Sequence, residues 1–497
     1  MGFAVALAYD WCYDYWTDER KQIMETALYD NIVSISLGVF EGKYGYGGLK
    51  AATNWNPVCN GGSICAAAAI FHKYPKEASR LIAYSTTALE RCLTDYAPLG
   101  GYSESPTYWT YGTTYLMWCI STLDSLCGKD YSISKAPGIK TTGYFPAYIS
   151  GPCGNWNYHD GGTGYLDTSL SNFFAAKFDD KNLAGMRYNI LKNGMYTKSI
   201  NPDCKDLLFY NPDLINDNFS LDDLDLDFYY PKIETAVMRK SFIDRNSMFT
   251  GLHGGYNSAN HGDLDAGSFI LDVDGERIID ELGSDNYALA SYFNSGASGK
   301  RWQYYKKNAE GQNSIMIADD SSVEHGQNPV ARVEINRFET NKSGAIAVAD
   351  MLPALGSKVE SAKRGVMLCN DRTQTVVQDE IRFTSPTELY WLAHTKGKIE
   401  ISADGKSAVI TKGNVSVCAK LISDDDSLVF ESAPEKPFLD TTYTGEGEKL
   451  RTNFTKLYIH AKDVTSFNTS VVFYQISGDG ADCGYEKIPI DSWTVED

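Results

Sequence analysis

Apolar residues in the first two fifths of the chain recur at helical spacing. From residue 3 to about residue 201 they return roughly every 3.6 positions, and one of these segments is rich in alanine. The clearest helical segments are 15–37, 63–71, 78–93, 115–126 and 169–178. Loops rich in glycine and aromatic residues separate them, at 42–60, 96–111 and 151–164. Helices alternating with long loops predict an array of antiparallel helix pairs, as in an incomplete (α/α) toroid.

The pattern changes after residue 201. Residues 206–231 are acidic and end at Pro231, which suggests a connection between domains. Beyond it, short runs of branched or alternating apolar residues are separated by Gly, Asn and Asp turns. These runs predict a large antiparallel β-sandwich. They are 235–238, 268–273, 314–318, 344–350, 364–370, 375–383, 389–394, 398–401, 407–411, 415–421 and 471–476.

Four regions follow from these patterns. We predict a toroid at 1–205, the connection at 206–231, a sandwich at 232–434, and a C-terminal region at 435–497. The last region forms either a small sheet or the final strands of the sandwich. The helical pattern begins directly after Met1 with no basic leader. We therefore expect a chain that starts inside a domain, and its compartment (periplasmic, secreted or cytoplasmic) stays open.

Composition narrows the classes of partner. The formal net charge is −19, which argues against nucleic acid or an anionic membrane, because both need a basic face. Aromatic residues make up 13% of the chain, and their flat faces suit sugar rings. The 11 cysteines lie at irregular spacings, so we expect mostly reduced thiols, with one or two disulfides as the alternative. Oligomeric state cannot be predicted from these features.

A first candidate loop is TNWNPVCNGG, residues 53–62. It contains Asn54, Asn56 and Asn60 beside Trp55. An asparagine before a helix either caps that helix or offers its amide to a substrate carboxylate.

A second candidate loop, residues 100–115, is dense in aromatic rings. Glu104 and Trp109 lie among its tyrosines, which include Tyr108 and Tyr111. Most tyrosines pack in cores. Several in one loop held by Gly and Pro suggest that one of them has a working hydroxyl.

A third candidate is the stretch 253–287, which concentrates titratable groups next to a strand pattern. It is either a solvated hairpin with Asp at its turns or a site for proton transfer or metal binding. The groups concerned are His253, His261, Asp263, Asp265 and Asp280. A basic, aromatic run follows at 300–315, with Lys300, Arg301, Lys306 and Lys307. Such a run is either a solvated face or the wall of an anionic-sugar cleft.

Four motifs together resemble a known family. In chain order they are NWNPVCNGG, GGYSESPTYWTYG, NHGDLDAGSFILDVDGERIIDELGSDNY and RWQYYKKNAEGQNS. They are similar to motifs of the heparinase II/III-like polysaccharide lyases, over roughly residues 50–400. The resemblance implies an incomplete (α/α) toroid followed by an antiparallel β-sandwich. Relatives carry more helical sequence at the N-terminus.

The resemblance implies β-elimination on a uronic-acid polysaccharide such as hyaluronan, chondroitin, a heparan-type chain or alginate. In this reaction a carboxylate is neutralised, a base removes the C5 proton and an acid protonates the leaving oxygen. Asn56 matches the neutralising amide, and His261 matches the catalytic histidine. Tyr111 best matches the catalytic tyrosine, with Tyr108 as the alternative. Pro57 stands where some relatives have a second neutralising His.

The aromatic and basic residues of these stretches suggest substrate contacts, and the resemblance implies a metal. The expected contacts are Trp55, Asn60, Glu104, Trp109, Arg239, Arg301, Trp302 and Tyr305. One structural divalent metal (zinc, calcium or manganese) is implied at Asp263 and Asp280, with His394 or Gln312 as third ligand. The two aspartates otherwise cap turns. No organic cofactor is implied.

Two rival functions remain open from the sequence. A glycoside hydrolase would need two carboxylates facing one cleft, for which Glu104 and Asp160 are available. A non-catalytic protein would bind the polysaccharide without cleaving it.

Overall fold

The computed structural model describes residues 1–164, 166–193, 204–216, 219–443, 447–476 and 483–495. Its α-helices all lie before residue 210. They are α1 Gly2–Trp11, α2 Asp18–Leu28, α3 Ser34–Phe40, α4 Trp55–Ala69, α5 Pro75–Leu93, α6 Pro106–Cys127, α7 Phe145–Tyr148, α8 Leu170–Phe178, α9 Lys181–Asn193 and α10 Cys204–Phe209. A π-helical turn, Tyr29–Val33, joins α2 to α3. No helix among the described residues has the length and apolar character needed to span a bilayer.

Helix α4 lies at the centre of the helical region, between α5 and α6. Its small residues allow this: a Cβ on Gly61 would stand only 2.6 Å from the backbone oxygen of Tyr115 in α6. Ile64 and Leu116 are fully buried where the two helices meet. This close packing holds the N-terminal ends of α4 and α6 side by side, and both ends carry candidate site residues.

The strands are mostly antiparallel pairs after residue 227. They are β1 Ser150–Gly151, β2 Gly154–Asn155, β3 Phe228–Tyr230, β4 Thr235–Arg239, β5 Phe249–His253, β6 Gly255–Tyr256, β7 Ser268–Val273, β8 Glu276–Ile279, β9 Ile315–Ile317, β10 Arg332–Val333, β11 Ile335–Thr340, β12 Ala345–Asp350, β13 Val359–Cys369, β14 Gln374–Thr395, β15 Lys398–Ile401, β16 Ser407–Lys412, β17 Val415–Ser423, β18 Phe430–Pro434 and β19 Thr455–Gln475.

Two sheets form the sandwich. The larger has the order β11-β12-β13-β14-β19-β17-β16-β15, with β9 on β14 and β18 on β19, and the smaller has the order β3-β4-β5-β7-β8. Phe269 of the small sheet contacts the rings of Trp391 and Phe473 of the large sheet. Burial of such apolar faces stabilises the stack.

Several predicted boundaries differ from the structure. The loops at 53–62 and 100–115 are partly helical, because α4 begins at Trp55 and α6 at Pro106. The predicted strands 375–383 and 389–394 are one long strand, Gln374–Thr395. The C-terminal strand Thr455–Gln475 lies inside the large sheet, between β14 and β17.

Candidate active site

His261 and Asp160 form the centre of the candidate site. Nδ1 of His261 lies 2.9 Å from Oδ2 of Asp160. A carboxylate only accepts hydrogen bonds, so Nδ1 carries the proton and Nε2 keeps a lone pair. Burial lowers the pKa of His261 more than Asp160 raises it. The result is a neutral, oriented imidazole, which is the form that a general base requires.

The backbone also constrains His261. Its φ is 64°, in the left-handed region, which costs a non-glycine residue about 1–3 kcal/mol. The carbonyl of His261 accepts hydrogen bonds from Asp160 N at 3.2 Å and from Arg301 at 3.0 Å. These contacts hold the residue in its unfavourable conformation, as is common at functional sites.

Tyr108 of α6 lies directly against His261. The two rings stack with centroids 4.0 Å apart and an interplanar angle of 22°. The Tyr108 hydroxyl shares a 2.5 Å hydrogen bond with the hydroxyl of Tyr287. Burial raises the pKa of Tyr108 to about 12, so this phenol is protonated at neutral pH. Exposed Tyr287 and Phe293 add rings beside His261, and together these rings offer stacking surfaces for a sugar.

A polar cluster of Asn54, Glu104 and Asn260 joins the helical region to the stretch that carries His261. Glu104 accepts hydrogen bonds from the Asn54 backbone nitrogen at 2.7 Å and from its side-chain amide. Burial raises the pKa of Glu104 to about 7, although hydrogen bonds from Asn54 and Asn260 oppose the shift. Asn54 starts α4 but makes no capping hydrogen bond with its side chain. Its amide is therefore directed to the cluster.

Arg301 and Lys307 lie beneath the site as buried counter-charges. Lys307 Nζ contacts Asp160 at 2.9 Å and both oxygens of Asp263 at 2.8 and 2.9 Å. Arg301 contacts Asp160 and Asp263, each at 3.1 Å. These cations, with the hydroxyl of Tyr292 at 2.6 Å, hold Asp160 ionised and its pKa well below its usual range, despite its burial.

Asn56 and Asn60, the amides expected from the sequence, lie away from the polar cluster, which contains Asn54 instead. Asn56 and Asn60 are fully buried. The Asn56 amide donates to Ala51 O at 2.6 Å and Ala88 O at 2.9 Å. The Asn60 amide donates to Leu49 O and to Asn56, each at 3.0 Å. Both side chains fasten α4 to its surroundings, and neither amide joins the cluster around Glu104.

The two candidate tyrosines lie one helical turn apart on α6 but make different contacts. Tyr111 lies three residues after Tyr108 in α6, and its ring contacts Tyr115 edge-on. It lines an open pocket of about 620 Å³ with Thr107 and Asn155. The structure thus brings the alternative residue, Tyr108, to His261, and places Tyr111 in a neighbouring depression.

Most residues expected to contact substrate are buried. Trp109, Arg239, Arg301, Trp302 and Tyr305 are at most 1% exposed. Their polar groups serve the fold: Arg239, for example, donates to the carbonyls of Leu226 and Ser150. Of the other three, Asn60 is also fully buried, Trp55 is 49% exposed, and Glu104 lies in the polar cluster.

The residues assigned to a metal do not converge. Asp263 is neutralised by Lys307 and Arg301. Asp280 contacts Lys396, and the His394 ring contacts Asn313 at 3.1 Å. The carboxylates of Asp263 and Asp280 are thus paired with Lys or Arg side chains, which occupy the positions where a metal ion would bind. This set of residues does not fit the metal implied by the family.

Sequence reasoning missed the roles of Asp160, Tyr287, Phe293 and Asn260. Asp160 and Asn260 had a usable signal, because each adjoins a histidine in a Gly-rich stretch. Tyr287 is the last residue of the motif NHGDLDAGSFILDVDGERIIDELGSDNY, which gave a signal for it, whereas Phe293 lies in a later turn that carries no motif.

Comparison with known proteins identifies related sequences and folds. Residues 231–474 match a family model described as heparinase II/III-like, C-terminal. A search of curated protein sequences finds no match.

Solved structures share the fold at low sequence identity. A heparinase III gives a TM-score of 0.66 at 13% identity, covering 96% of this chain and 67% of that chain. Heparan sulfate lyase HepC from Pedobacter heparinus gives 0.62 at 13% identity, covering 95% and 75%. Chondroitin AC lyase from Streptomyces coelicolor A3, in complex with chondroitin sulphate, gives 0.53 at 13% identity, covering 97% and 67%. These likenesses confirm the predicted fold of a helical toroid followed by a β-sandwich.

Proposed function

We propose that the chain, which belongs to the heparinase II/III-like family through residues 231–474, is a polysaccharide lyase that cleaves uronic-acid-containing chains by β-elimination. One observation carries this proposal: Tyr108 from the helical region stacks on His261, whose proton position is set by Asp160. An oriented neutral imidazole beside a protonated phenol supplies the base and the acid that the reaction needs.

His261 acts as the base in this proposal. Its Nε2 lone pair accepts the C5 proton of the uronate, and Asp160 stabilises the imidazolium that forms. Asp160 is itself held ionised by Lys307 and Arg301. Positioned proton transfer of this kind contributes roughly 10²–10⁴-fold to a rate.

Tyr108 acts as the acid. Its proton passes to the O4 leaving group as the C4–O4 bond breaks and the C4–C5 double bond forms. The hydrogen bond from Tyr287 at 2.5 Å stabilises the phenolate that remains. With a pKa of about 12, Tyr108 holds its proton until the leaving oxygen becomes basic.

Asn54 and Glu104 receive the uronate carboxylate in this proposal. With a pKa near 7, Glu104 is protonated in about half of the molecules at neutral pH and can donate a hydrogen bond to a carboxylate. The Asn54 amide has a second N–H for the same purpose. Hydrogen bonds to the carboxylate stabilise the charge that develops when C5 loses its proton.

The proposed substrates are glycosaminoglycans of the heparan or chondroitin type. The structural neighbours support this class, since they include a heparan sulfate lyase and a chondroitin lyase. The exposed rings of Trp55, Tyr287 and Phe293 suit stacking against the sugars of such chains. Alginate and hyaluronan offer the same uronate chemistry and serve as comparison polymers.

A glycoside hydrolase fits the geometry less well. A hydrolase needs two carboxyl groups that reach one glycosidic bond. Asp160 is buried, and both of its oxygens accept hydrogen bonds from protein groups. It therefore serves His261 rather than the sugar.

The proposal is tested by incubating the protein separately with heparan sulfate, chondroitin sulfate, hyaluronan and alginate. Ultraviolet absorbance and new reducing ends are followed in parallel. A lyase raises both, because its product has a double bond conjugated with the carboxylate, and we expect this with heparan or chondroitin sulfate. Reducing ends without absorbance would establish a hydrolase. Binding with neither signal would establish a non-catalytic protein.

A further inference from the structure

His159, His253 and Asp265 form a buried cluster beside the candidate active site. One ligand atom from each lies within 4.8 Å of the other two. They are 3%, 1% and 1% exposed. Among the described residues this is the one group of three or more His, Cys, Asp or Glu side chains with metal-binding geometry. The cluster differs from the set of Asp263, Asp280 and His394 that the sequence suggested.

The atoms that face each other in this cluster lack hydrogen-bond partners. They are His159 Nε2, His253 Nε2 and both carboxylate oxygens of Asp265. The Asp265 Oδ1 lies 3.5 Å from His159 Nε2 and 3.9 Å from His253 Nε2. These separations exceed the usual 2.7–3.2 Å of an N–H···O hydrogen bond. Leaving buried polar atoms unpaired is costly, because each has lost its hydrogen bonds to water.

The second nitrogen of each imidazole sets its tautomer. Nδ1 of His159 lies 3.1 Å from the carbonyl oxygen of Ser103, and a carbonyl only accepts, so Nδ1 carries the proton. Nδ1 of His253 lies 2.8 Å from Oγ1 of Thr235, whose own proton goes to the Ile233 carbonyl at 3.1 Å. His253 Nε2 therefore presents a lone pair to Asp265, and His159 Nε2 presents one whenever its ring is neutral. Metal-ligating histidines show this same arrangement.

We propose that His159, His253 and Asp265 bind one divalent transition-metal ion, with zinc as the preferred ion. Ligand atoms about 2.0–2.1 Å from a tetrahedral zinc lie about 3.4 Å from each other. Asp265 Oδ1 lies 3.5 and 3.9 Å from the two Nε2 atoms, and all three ligand atoms lie within 4.8 Å of one another, so modest side-chain shifts close the cluster around an ion. Two imidazoles and a carboxylate favour zinc over calcium, which prefers oxygen ligands alone. A water or another small ligand completes the coordination.

The ion joins separate parts of the chain. His253 ends β5, Asp265 precedes β7, and His159 lies in the segment between β2 and α8. His159 is followed directly by Asp160, the partner of His261, and the Tyr158 ring stacks on His253 at 4.8 Å. A metal at this position fixes Asp160 behind His261. Its role is structural, and its binding is measured without any assay of activity.

The test uses the full chain, stripped with a chelator and titrated with Zn²⁺, Mn²⁺ and Ca²⁺. Bound metal and melting temperature are measured at each step. We expect one Zn²⁺ per chain, a rise in melting temperature, and affinity in the order zinc, manganese, calcium. Absence of stoichiometric zinc, or tighter binding of calcium, would overturn the proposal.

Conservative variants locate the site. A residue that hydrogen-bonds a metal ligand typically contributes 10–100-fold to metal affinity, and a ligand itself contributes at least as much. His253→Gln and Asp265→Asn should therefore each weaken zinc binding by about 100-fold or more. Thr235→Val removes only the hydroxyl that accepts the His253 Nδ1 proton, and this variant should weaken zinc binding by about 10–100-fold. His394→Gln, a buried histidine elsewhere, is the matched control and should retain the zinc-induced shift. If the shift survives in Asp265→Asn and Thr235→Val, the ion binds elsewhere and the cluster is only a buried ion pair.

Discussion

At the scale of single residues, Lys307 shows how much of the site depends on buried charge. Its ammonium group contacts two buried carboxylates, Asp160 and Asp263, and it is fully buried itself. Removing one partner of a buried ion pair leaves an uncompensated charge, which typically costs about 3–5 kcal/mol.

We predict that Lys307→Met lowers the free energy of unfolding by about 3–5 kcal/mol in denaturant titrations, because two carboxylates lose their cation. Lys300→Met in the same basic run is the control, since Lys300 is exposed and should change stability by less than about 0.5 kcal/mol. Equal effects of the two substitutions would contradict the role given to Lys307.

The residue types of the site could be predicted from the sequence, but their orientation could not. His261 was identified from its motif. The resemblance points to Asn56 by its distance from the Ala-rich helix and to Tyr111 by its place directly before Gly112, and neither criterion shows which way a side chain faces. In a helix, successive side chains are about 100° apart, so Asn54 and Asn56 point to different sides. Asn60, four residues after Asn56, shares its buried face. The Pro at the first position of α6 was an available sign of a helix start.

At the scale of elements, the packing of α4 on α6 determines where Asn54 and Tyr108 lie. Gly61 is at the contact, and a Cβ there would meet the Tyr115 backbone oxygen at 2.6 Å. A Cβ on the next residue, Gly62, would meet nothing closer than 3.9 Å. The two glycines therefore form a matched pair within one helix.

We predict that Gly61→Ala destabilises the protein by about 1–3 kcal/mol, because the helices must separate to admit a methyl group. It should also lower kcat, since the separation moves Asn54 relative to Tyr108. Gly62→Ala should be neutral or stabilising by up to about 1 kcal/mol, because alanine favours helix. Melting temperature and turnover of both variants test this. Loss of stability in Gly62→Ala alone would contradict the described packing.

Strand positions were more predictable than strand partners. The run 268–273 coincides with β7, and 398–401 coincides with β15. The sequence pattern does not predict β5, Phe249–His253, because Gly251 and His253 weaken the alternation of apolar residues in this strand. The placement of β19 between β14 and β17 joins residues far apart in the chain, which local patterns do not encode.

At the scale of the whole molecule, buried carboxyl groups set the dependence of stability on pH. Burial raises the pKa of four glutamates to about 7 or 8: Glu104, Glu281, Glu435 and Glu448. Their pKa in the unfolded chain is about 4.3. Between these values the folded state binds more protons than the unfolded state, so the free energy of unfolding falls as pH rises.

Groups whose pKa is lowered in the folded state act in the opposite direction, among them Asp130, Asp320, His253 and His394. Burial raises the pKa of Asp130 and Asp320, but hydrogen bonds from Ser134 and Ser322, among others, outweigh it and the net shift is downward. Their contribution to stability is present above about pH 4 and is lost below it. We predict that melting temperature is highest near pH 5 and falls towards pH 8.

A single substitution tests whether buried glutamates cause the fall of melting temperature between pH 5 and pH 8. Glu435→Gln removes one titrating group with both oxygens buried and unpaired, so it should flatten the decline between pH 5 and pH 8. Exposed Glu19 gives the control, because Glu19→Gln should leave the profile unchanged. A melting temperature that rises from pH 5 to pH 8 would contradict the prediction.

The stacked pair of Tyr108 and His261 is the central claim, and turnover of a matched pair of variants tests it most directly. Tyr108→Phe and Tyr111→Phe each delete one hydroxyl from the same helix. On the polymer that the unaltered protein converts to ultraviolet-absorbing product, Tyr108→Phe should lose about 100-fold or more in kcat, because an acid is lost. Tyr111→Phe should stay within about threefold of the unaltered protein, because its hydroxyl lies outside the pair. Full activity of Tyr108→Phe together with an inactive Tyr111→Phe would contradict the account.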